Sequence, residues 1–430
     1  MSTLHPVTNT VESARKANYF KLGLVILVIG CAVSFYRIVF LSEDMIYMIQ
    51  ALILAFMVLT ILFQIIYWKI DVDKHHFTTP VLLVFLGVLF SMIMAYSSHN
   101  QGFGVSLWAQ RFMYFYFFYF FLHILKVPHR QLEKIIFAFG VAYAAAFLIQ
   151  YIIYPTVLFD VRLDPSRGTV RIFLPGYSFM LLAIFMSLEK IFYTNSLKSG
   201  AFMLLFLTVI FLSGTRQSIA NIAFISLMAL LFSKKIKSKY LIYFIAFMAA
   251  IAVYFLFKDI IMNLITLSQE QTQNTGGIKR LQTIRFFMTE FFPNDLAYVT
   301  GNGEAHQWSP FGVRVQNYKI RYGFYQSDIG FIGEYTKYGA FFALGVILLL
   351  IKALRQRLPQ HMLYIKLFLF SSLITMPFGG IFSQPYSIVT FCLLLYLIDK
   401  HKAKTESKAV KKRPVVYFSE LEKSSSRIMV

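Results

Sequence analysis

Arginine is the residue type whose placement in this chain points most directly to chemistry, and that chemistry is the binding of phosphate or carboxylate groups. A guanidinium group stays charged at any working pH, and its planar fork grips such anions through two parallel hydrogen bonds. When the apolar runs are interpreted as membrane spans, arginines gather in the loops on one side of the membrane. The members of this set are Arg162, Arg167, Arg171, Arg216, Arg280, Arg285, Arg314 and Arg321.

The loops on the other side are rich in lysine, as the positive-inside rule predicts for cytoplasmic loops. The arginine-rich side breaks that rule and is therefore predicted to bind a polyanion outside the cytoplasm. The lysine-rich set comprises Lys69, Lys74, Lys126, Lys134, Lys190, Lys198, the cluster in 234–239, Lys352 and the tail after Leu397.

Composition places the chain in a membrane. It has 430 residues, of which 58% are hydrophobic and 14% are charged, whereas soluble domains are about 25% charged. The net charge of +21 does not indicate nucleic acid, because the basic residues flank apolar runs and are explained by topology and attraction to anionic lipids. The two cysteines, Cys31 and Cys392, lie inside predicted spans and form neither a disulfide framework nor a metal motif.

An all-α polytopic fold with about twelve transmembrane helices follows from the apolar runs. The predicted spans are roughly 20–40, 45–67, 78–97, 107–125, 134–154, 172–192, 200–213, 217–232, 240–257, 328–350, 363–377 and 384–398. Both termini are then cytoplasmic, and every inner loop carries Lys or Arg. The organisation is a cytoplasmic N-terminus (1–18), helices one to nine (19–257), a large outer loop (258–327), helices ten to twelve (328–399) and a basic cytoplasmic tail (400–430).

The large loop contains a predicted amphipathic helix from about Gly277 to Phe292. Apolar residues recur there at helical spacing, and Arg280 and Arg285 fall on the polar flanks, so we expect the helix to lie on the membrane surface. The apolar residues are Ile278, Leu281, Ile284, Met288 and Phe291. The aromatic run Phe112–Phe121 is predicted to form a lipid-facing or interfacial helix.

The hairpin formed by the seventh and eighth predicted spans is too short to cross the membrane fully. A helix over 200–213 rises only about 21 Å, less than the roughly 30 Å hydrocarbon core. Its turn, Ser213-Gly214-Thr215-Arg216, should therefore lie below the outer surface in a wet, protein-lined cavity. An intramembrane arginine is a functional candidate by default; the alternative is that Arg216 simply pairs with a nearby carboxylate.

Other candidates have structural alternatives as well. Arg167 and Arg171 either bind the anion or form ion pairs with Asp160 or Asp164. Arg280, Arg285, Arg314 and Arg321 are individually weaker candidates for substrate binding than the cluster they form.

Three further candidates lie in or beside the tenth span. Asp328 stands at its outer entrance as the best carboxylate, and Glu334 is either functional or paired with Lys337 one turn away. His306 is a loop histidine that either contacts substrate or is merely solvated, and Arg111 is expected to be structural or to snorkel.

No metal-binding or nucleotide-binding signature is present: the chain has no HExxH, DxD, Walker or Cys/His motif. A metal-dependent or nucleotide-dependent enzyme is therefore disfavoured, and no cofactor is expected. This fits a site outside the cytoplasm, where nucleotide sugars are not supplied.

Three segments together resemble the O-antigen polymerase and ligase superfamily of bacterial inner membranes. The first runs from Arg167 through Arg171 to Leu174-Pro175-Gly176-Tyr177, and the second is 211–218 with its Ser-Gly-Thr-Arg turn. The third is Gly301-Asn302-Gly303 followed by 327–339. The resemblance covers roughly 165–350, and the Ser-Gly-Thr-Arg turn is its most specific element.

The resemblance implies a GT-C-like helical bundle that transfers glycans on the outer face of the bacterial cytoplasmic membrane, without metal, from an undecaprenyl-pyrophosphate-linked donor. The product would be O-antigen, capsule or exopolysaccharide, and a chain-length regulator and a flippase would be partners beside the membrane lipids. Ligases of this superfamily carry a histidine where this chain has Asp328, preceded by Ser327, so a polymerase of repeat units is favoured over a ligase.

Roles follow from the chemistry of displacing a pyrophosphate, which develops negative charge that preorganised guanidinium groups would stabilise. Arg216 and Arg171 are assigned to the pyrophosphate, Arg280 and Arg285 to the glycan or a second phosphate, and Asp328 to the base or to acceptor orientation. The alternatives are a ligase and a twelve-helix transporter or flippase of lipid-linked sugars. Transporters usually have matched halves, and no internal repeat is visible here.

Overall fold

The computed structural model describes residues 6–68, 75–165, 170–194, 196–232 and 276–411, and these are mostly helical. The ninth predicted span (240–257), Arg167 and most of the predicted tail lie outside the described residues. The described helices, numbered here in chain order, are α1 (Pro6–Ala32), α2 (Glu43–Trp68), α3 (Thr78–His99), α4 (Phe103–Ala109), α5 (Phe117–Leu125), α6 (His129–Ile153), α7 (Tyr177–Thr194), α8 (Leu197–Leu212), α9 (Arg216–Phe232), α10 (Gly276–Thr289), α11 (Leu296–Thr300), α12 (Pro310–Tyr322), α13 (Gly330–Arg355), α14 (Leu363–Thr375) and α15 (Pro385–Lys411).

Short elements connect several of these helices. Short 3-10 helices cover Ser34–Arg37, Arg111–Tyr116, Gln326–Ile329 and Gln360–Met362. The two strands are β1 (Leu163–Asp164) and β2 (Arg171–Ile172), which pair antiparallel with Leu163 opposite Ile172 and Asp164 opposite Arg171.

Five helices among the described residues are long and apolar enough to cross a membrane: Glu43–Tyr67, Thr78–His99, His129–Ile153, Tyr177–Thr194 and Gln326–Arg355. Four shorter apolar helices accompany them, at Tyr19–Ala32, Arg111–Leu125, Leu197–Leu212 and Arg216–Leu230. The chain is therefore a helical membrane protein, and the total of twelve spans remains a prediction.

Helix α2 shows the surface expected of a lipid-facing helix. Leu52, Leu59 and Ile66 lie seven residues apart and are 63%, 65% and 67% exposed. Residues spaced by seven fall on one face of a helix, and a stripe of large apolar side chains on the outside of a folded chain marks a surface covered by lipid or by another protein.

The predicted fourth span, 107–125, is not one helix. It is divided into α4, a 3-10 turn that begins at Arg111, and α5. The prediction that Phe112–Phe121 faces lipid is wrong, because Phe115, Tyr116 and Phe118 are 0% exposed. These rings pack around α15, whose segment from Ile388 to Ile398 is itself almost wholly buried. An element that is apolar on every side belongs in a core.

Among the described residues, helices α3 and α13 form the most extensive helix–helix contact, and small residues permit it. A Cβ atom at Gly87 would lie 2.6 Å from the backbone nitrogen of Phe342, and one at Gly345 would lie 2.8 Å from the carbonyl oxygen of Pro80. Membrane helices approach each other most closely where small residues line the contact. Helix α13 of this pair is broken, and the break positions the candidate site.

Helix α13 breaks at Gly339, where φ is 75° and ψ is −170°. Gly301, with φ +72°, lies directly against the break. The carbonyl oxygen of Thr336 accepts a hydrogen bond from the amide of Asn302 at 3.0 Å, and that of Lys337 accepts one from Gly303 at 2.8 Å. The Gly301-Asn302-Gly303 segment thus replaces the missing hydrogen bonds of the helix, which buried carbonyl groups require.

Alanine at Gly301 or Gly339 is expected to destabilise the fold. A Cβ atom would lie 2.4 Å from the carbonyl oxygen of Lys337 in the first case and 2.3 Å from that of Val299 in the second, and the backbone conformation alone costs roughly 1–2 kcal/mol for a residue with a side chain. Thermal unfolding of the detergent-purified variants measures the effect. Gly200→Ala is the control, because nothing lies within 4 Å of a Cβ atom there and alanine favours a helix over glycine. Equal midpoints for all variants would contradict this assignment.

Candidate functional site

A cavity of about 1200 Å³ opens among the start of α2, the turn after α4, the loop before α12, α12 itself, the broken part of α13 and the segment before α15. Each of these loops belongs to the face that the sequence assigns to the outside. Its lining combines aromatic rings, amides and charges: Tyr47, Trp108, Phe112, Trp308, Gln307, Gln316, Gln384, Glu43, Asp44, Arg111, Glu304, His306, Lys319, Lys337 and Tyr338. Aromatic faces with a few convergent polar groups are typical of a binding site for an organic ligand.

Glu304 is the central charged residue of the cavity. Its carboxylate pairs with the ammonium group of Lys337, with 2.9 Å between Nζ and Oε2, and accepts a hydrogen bond from the Tyr338 hydroxyl at 3.0 Å. Both partners stand on α13 immediately before the break at Gly339. The docking of Asn302 and Gly303 on that break therefore places the carboxylate beside the ammonium.

Arg111 reaches the same region from the turn after α4. Its guanidinium lies 4.6 Å from the ring centroid of Tyr47 and 4.9 Å from that of Trp108, and it donates a hydrogen bond to the carbonyl oxygen of Trp108 at 3.1 Å. It also interacts electrostatically with Glu304. Stacking on aromatic faces fixes the plane of the guanidinium and leaves its charge available to a ligand.

Lys319 on α12 is the third cation at the cavity. Burial lowers the pKa of its ammonium group below the usual range, nearby Lys337 lowers it further, and Glu304 acts in the opposite direction. Arg111, Lys319 and Lys337 carry three positive charges against the single negative charge of Glu304, so this cluster has a net charge of +2. We call these four residues the basic cluster.

The acidic residues at the start of α2 form a second part of the lining. Glu43 is paired with Arg37, with 2.9 Å between guanidinium nitrogen and carboxylate oxygen, and Asp44 follows it. The cavity thus offers a cationic surface to an anion, and both carboxylate acceptors and amides to hydroxyl groups.

Gln101 holds the loop that carries Glu304 and His306. Its side-chain amide donates to the carbonyl oxygen of Glu304 at 2.9 Å, and its carbonyl oxygen accepts from the amide of His306 at 3.0 Å and from the Ser309 hydroxyl at 2.7 Å. Gln101 is 1% exposed. A fully bonded buried amide fixes a loop that has no regular structure of its own.

His99, the last residue of α3, performs a similar role. Its Nε2 lies 3.0 Å from Oδ1 of Asn302 and its Nδ1 lies 3.2 Å from the guanidinium of Arg314, while its ring stacks on Phe311 with 4.0 Å between centroids. Arg314 was predicted to bind substrate; in the structure its guanidinium donates to this buried histidine.

Among the described residues that the sequence singled out as site residues, His306 alone lines the cavity. Its Nδ1 accepts a hydrogen bond from the backbone amide of Trp308 at 3.4 Å. A neutral ring that accepts at Nδ1 carries its proton on Nε2 and can donate it in a hydrogen bond.

Glu334 does not pair with Lys337, because Lys337 pairs with Glu304. The Glu334 side chain is buried, and its Oε1 accepts hydrogen bonds from the backbone amides of Phe382 at 2.8 Å and Ser383 at 2.7 Å. Ser383 and Gln384 line the cavity. Glu334 therefore holds the segment that borders the cavity and does not itself reach it.

Arg171 forms the ion pair that the sequence offered as the alternative. Its guanidinium lies 3.7 Å from Oδ2 of Asp164, its cross-strand partner, and 4.8 Å from the ring centroid of Phe173, which Arg162 also approaches, at 5.4 Å. Opposite charges facing each other stabilise a two-stranded ladder. Arg167 lies outside the described residues.

The remaining predicted residues lie on other surfaces. Arg280 on α10 stands 5.6 Å from the ring centroid of Phe378, Arg285 and Arg321 are exposed on α10 and α12, and Asp328 is exposed in the turn before α13, accepting a hydrogen bond from Ser327 at 3.3 Å. Arg216 is the first residue of α9 and is half-buried. The structure therefore does not gather these arginines around the cavity.

Sequence reasoning missed the basic cluster. Arg111 was expected to be structural, Lys337 was considered only as a partner of Glu334, and Glu304 and Lys319 were not singled out. One signal was present in the sequence: Glu304 directly follows Gly301-Asn302-Gly303. Two glycines so close together indicate a backbone conformation that other residues rarely adopt.

No protein-family model matches the chain, and no curated protein is significantly similar to it. The chemistry of the cavity is therefore the basis for assigning a function.

Replacing Glu334 should test its positioning role. Glu334→Ala removes the acceptor of two backbone N–H groups and is expected to cost about 1–3 kcal/mol for each one left buried without a partner. Glu334→Gln keeps a carbonyl oxygen in place and should retain most of the stability. Thermal unfolding in detergent compares the two variants, and a Glu334→Ala protein as stable as Glu334→Gln would contradict the assignment.

Proposed function

We propose that the chain is a metal-independent glycosyltransferase that joins undecaprenyl-pyrophosphate-linked oligosaccharide repeat units on the outer face of the bacterial cytoplasmic membrane, in O-antigen, capsule or exopolysaccharide biosynthesis. The observation that carries the proposal is the basic cluster, in which three cations surround one carboxylate inside a 1200 Å³ cavity of a helical membrane protein. The resemblance of 165–350 to the polymerase and ligase superfamily agrees with it.

The reaction needs few chemical groups from the protein. A hydroxyl oxygen of the acceptor sugar attacks the anomeric carbon of the donor, the bond from that carbon to the pyrophosphate oxygen breaks, and undecaprenyl pyrophosphate leaves with the electron pair. The hydroxyl proton passes to a carboxylate or to water. Charge develops mainly on the leaving pyrophosphate, so preorganised cations there are the largest source of rate enhancement.

The basic cluster has the charge and the setting for this role. Its net charge of +2 fits a leaving pyrophosphate, and the stacked guanidinium of Arg111 can form two parallel hydrogen bonds to phosphate oxygens. The surrounding aromatic rings provide surfaces on which sugar rings stack, and the amides of Gln307, Gln316 and Gln384 provide hydrogen-bond partners for hydroxyl groups. Holding donor and acceptor together in one cavity supplies the proximity that such a transfer requires.

Removing a cation of the basic cluster should reduce polymer formation. Arg111→Ala and Lys319→Ala are each expected to lower the initial rate by about 100-fold or more, the usual effect of deleting one preorganised charge-stabilising group. The assay is ladder growth by the purified chain in proteoliposomes supplied with lipid-linked repeat units. Lys198→Ala is the matched control, because Lys198 is exposed at the start of α8 and does not line the cavity.

The same assay distinguishes two candidate binding sites for the pyrophosphate, the basic cluster and the predicted arginine Arg216. Arg216→Ala and Arg216→Lys should abolish polymerisation if the pyrophosphate is bound at the α8–α9 turn, and should leave it intact if the basic cluster alone binds it. Unchanged rates in the Arg111 and Lys319 variants would refute the basic cluster. Transfer to a second acceptor without ladder growth would identify a ligase, and movement of the lipid-linked sugar without new bonds would identify a transporter.

The binding of the anionic ligand should weaken at alkaline pH. Because the pKa of Lys319 is lowered, its positive charge is lost as the pH rises through a value below that of an ordinary lysine. Affinity for a pyrophosphate-containing ligand should therefore fall within the alkaline range, and Lys319→Arg should extend binding to higher pH because a guanidinium remains charged. Titration calorimetry at increasing pH makes the comparison, and identical pH profiles for the two proteins would exclude a role for Lys319.

A further inference from the structure

A second cluster of ionisable side chains lies on the lysine-rich side of the molecule, away from the cavity. It joins three elements: His75 in the turn before α3, His123 near the end of α5, and Asp399 in α15. These residues share nothing with the cavity lining, and the proposed transfer reaction does not use them.

The three side chains converge closely. One potential ligand atom from each residue lies within 4.8 Å of the other two, and Nε2 of His123 lies 3.4 Å from Oδ2 of Asp399. Zinc bonds of about 2.0–2.2 Å to nitrogen and oxygen in a tetrahedral site place neighbouring ligand atoms roughly 3.4 Å apart. The histidine–carboxylate edge already has the separation that an ion would require.

The surroundings are those of a metal ligand rather than of a simple ion pair. Asp399 is 8% exposed, and its Oδ1 has no hydrogen-bond partner in the part of the chain that the structure describes. Its Oδ2 accepts a hydrogen bond of 2.5 Å from the Tyr119 hydroxyl. A carboxylate oriented by an outer hydrogen bond, with an unpartnered buried oxygen, is the arrangement that supports metal coordination.

The two histidine rings stack with 3.7 Å between centroids and an interplanar angle of 25°. The neutral form of an imidazole ring is the form that binds metals. Both nitrogen lone pairs cannot point at one ion while the rings remain face to face. Coordination of one ion by both rings therefore requires rotation of the His75 side chain, which belongs to a bend outside any helix, while His123 and Asp399 stay in place.

We propose that His75, His123 and Asp399 form a binding site for one divalent transition-metal ion of the zinc class. Two imidazoles and one carboxylate are a set that zinc accepts, with the fourth position left to water. The ion would tie the turn before α3 to α5 and α15 on the lysine-rich side. Its role is structural, and it takes no part in the transfer reaction proposed for the cavity.

The full-length chain, purified in detergent with an affinity tag that lacks histidine and then treated with a chelator, tests the site. Zinc binding is measured by titration calorimetry and by metal analysis after desalting, and Co²⁺ serves as the spectroscopic probe. We expect one ion per chain, a tetrahedral Co²⁺ spectrum and a higher thermal unfolding midpoint with metal.

Variants locate the ion. His75→Gln, His123→Ala and Asp399→Asn should each weaken binding by more than the roughly 10–100-fold that loss of an outer-shell partner causes, and Tyr119→Phe should fall within that range. His76→Ala is the matched control, because the ring of His76 contacts Gln356 and Lys402 and lies outside the cluster. His75→Gln changes only a residue of the turn, so it remains informative if a helix variant does not fold.

Two results would overturn the proposal. The first is wild-type protein that binds no zinc at a ratio of one per chain. The second is binding that is unchanged in His75→Gln and Asp399→Asn, or that is lost equally in His76→Ala. A Tyr119→Phe protein with undiminished affinity would remove the outer-shell role of Tyr119.

Discussion

The break in α13 at Gly339 is the constraint on which the candidate site depends. A helix interrupted among apolar neighbours leaves carbonyl groups that need donors. Asn302 and Gly303 provide them at 3.0 and 2.8 Å, and the close fit of Gly301 against the break leaves no space for a side chain there. Because that docking fixes the next residue in the chain, Glu304 meets Lys337 and Tyr338, and the basic cluster forms around it.

Electrostatics explains why such a cluster is stable yet able to bind an anion. A buried cation without compensation is costly, and Glu304 partly compensates Arg111, Lys319 and Lys337. The remaining charge makes the part of the cavity around the basic cluster receptive to a dianion, while Glu43 and Asp44 border another part. Gln101, His99 and Glu334 are buried and do not line the cavity. Their hydrogen bonds hold the segments that carry the lining residues where regular secondary structure ends.

Much of the helical framework could be predicted from the sequence, since long apolar runs and helical periodicity are local signals. The helix predicted near Gly277 is observed as α10, although Leu281 on its predicted apolar face is 67% exposed and Phe287, which was not assigned to that face, is buried. The aromatic run after Arg111 was placed on the wrong surface because hydrophobicity alone does not distinguish lipid from a protein interior. The site was harder to predict, since its four residues come from four separate elements: Arg111 from the turn after α4, Glu304 from the loop before α12, Lys319 from α12 and Lys337 from α13.

The sequence by itself determined that this is a helical membrane protein, and it predicted a division of the basic residues between two faces. Those properties depend on composition and on neighbours along the chain. Only the tertiary structure decided which charges meet: Arg171 with Asp164, Arg314 with His99, and Lys337 with Glu304 instead of Glu334. Charge pairing depends on distance in space and on burial, and neither is fixed by separation along the chain.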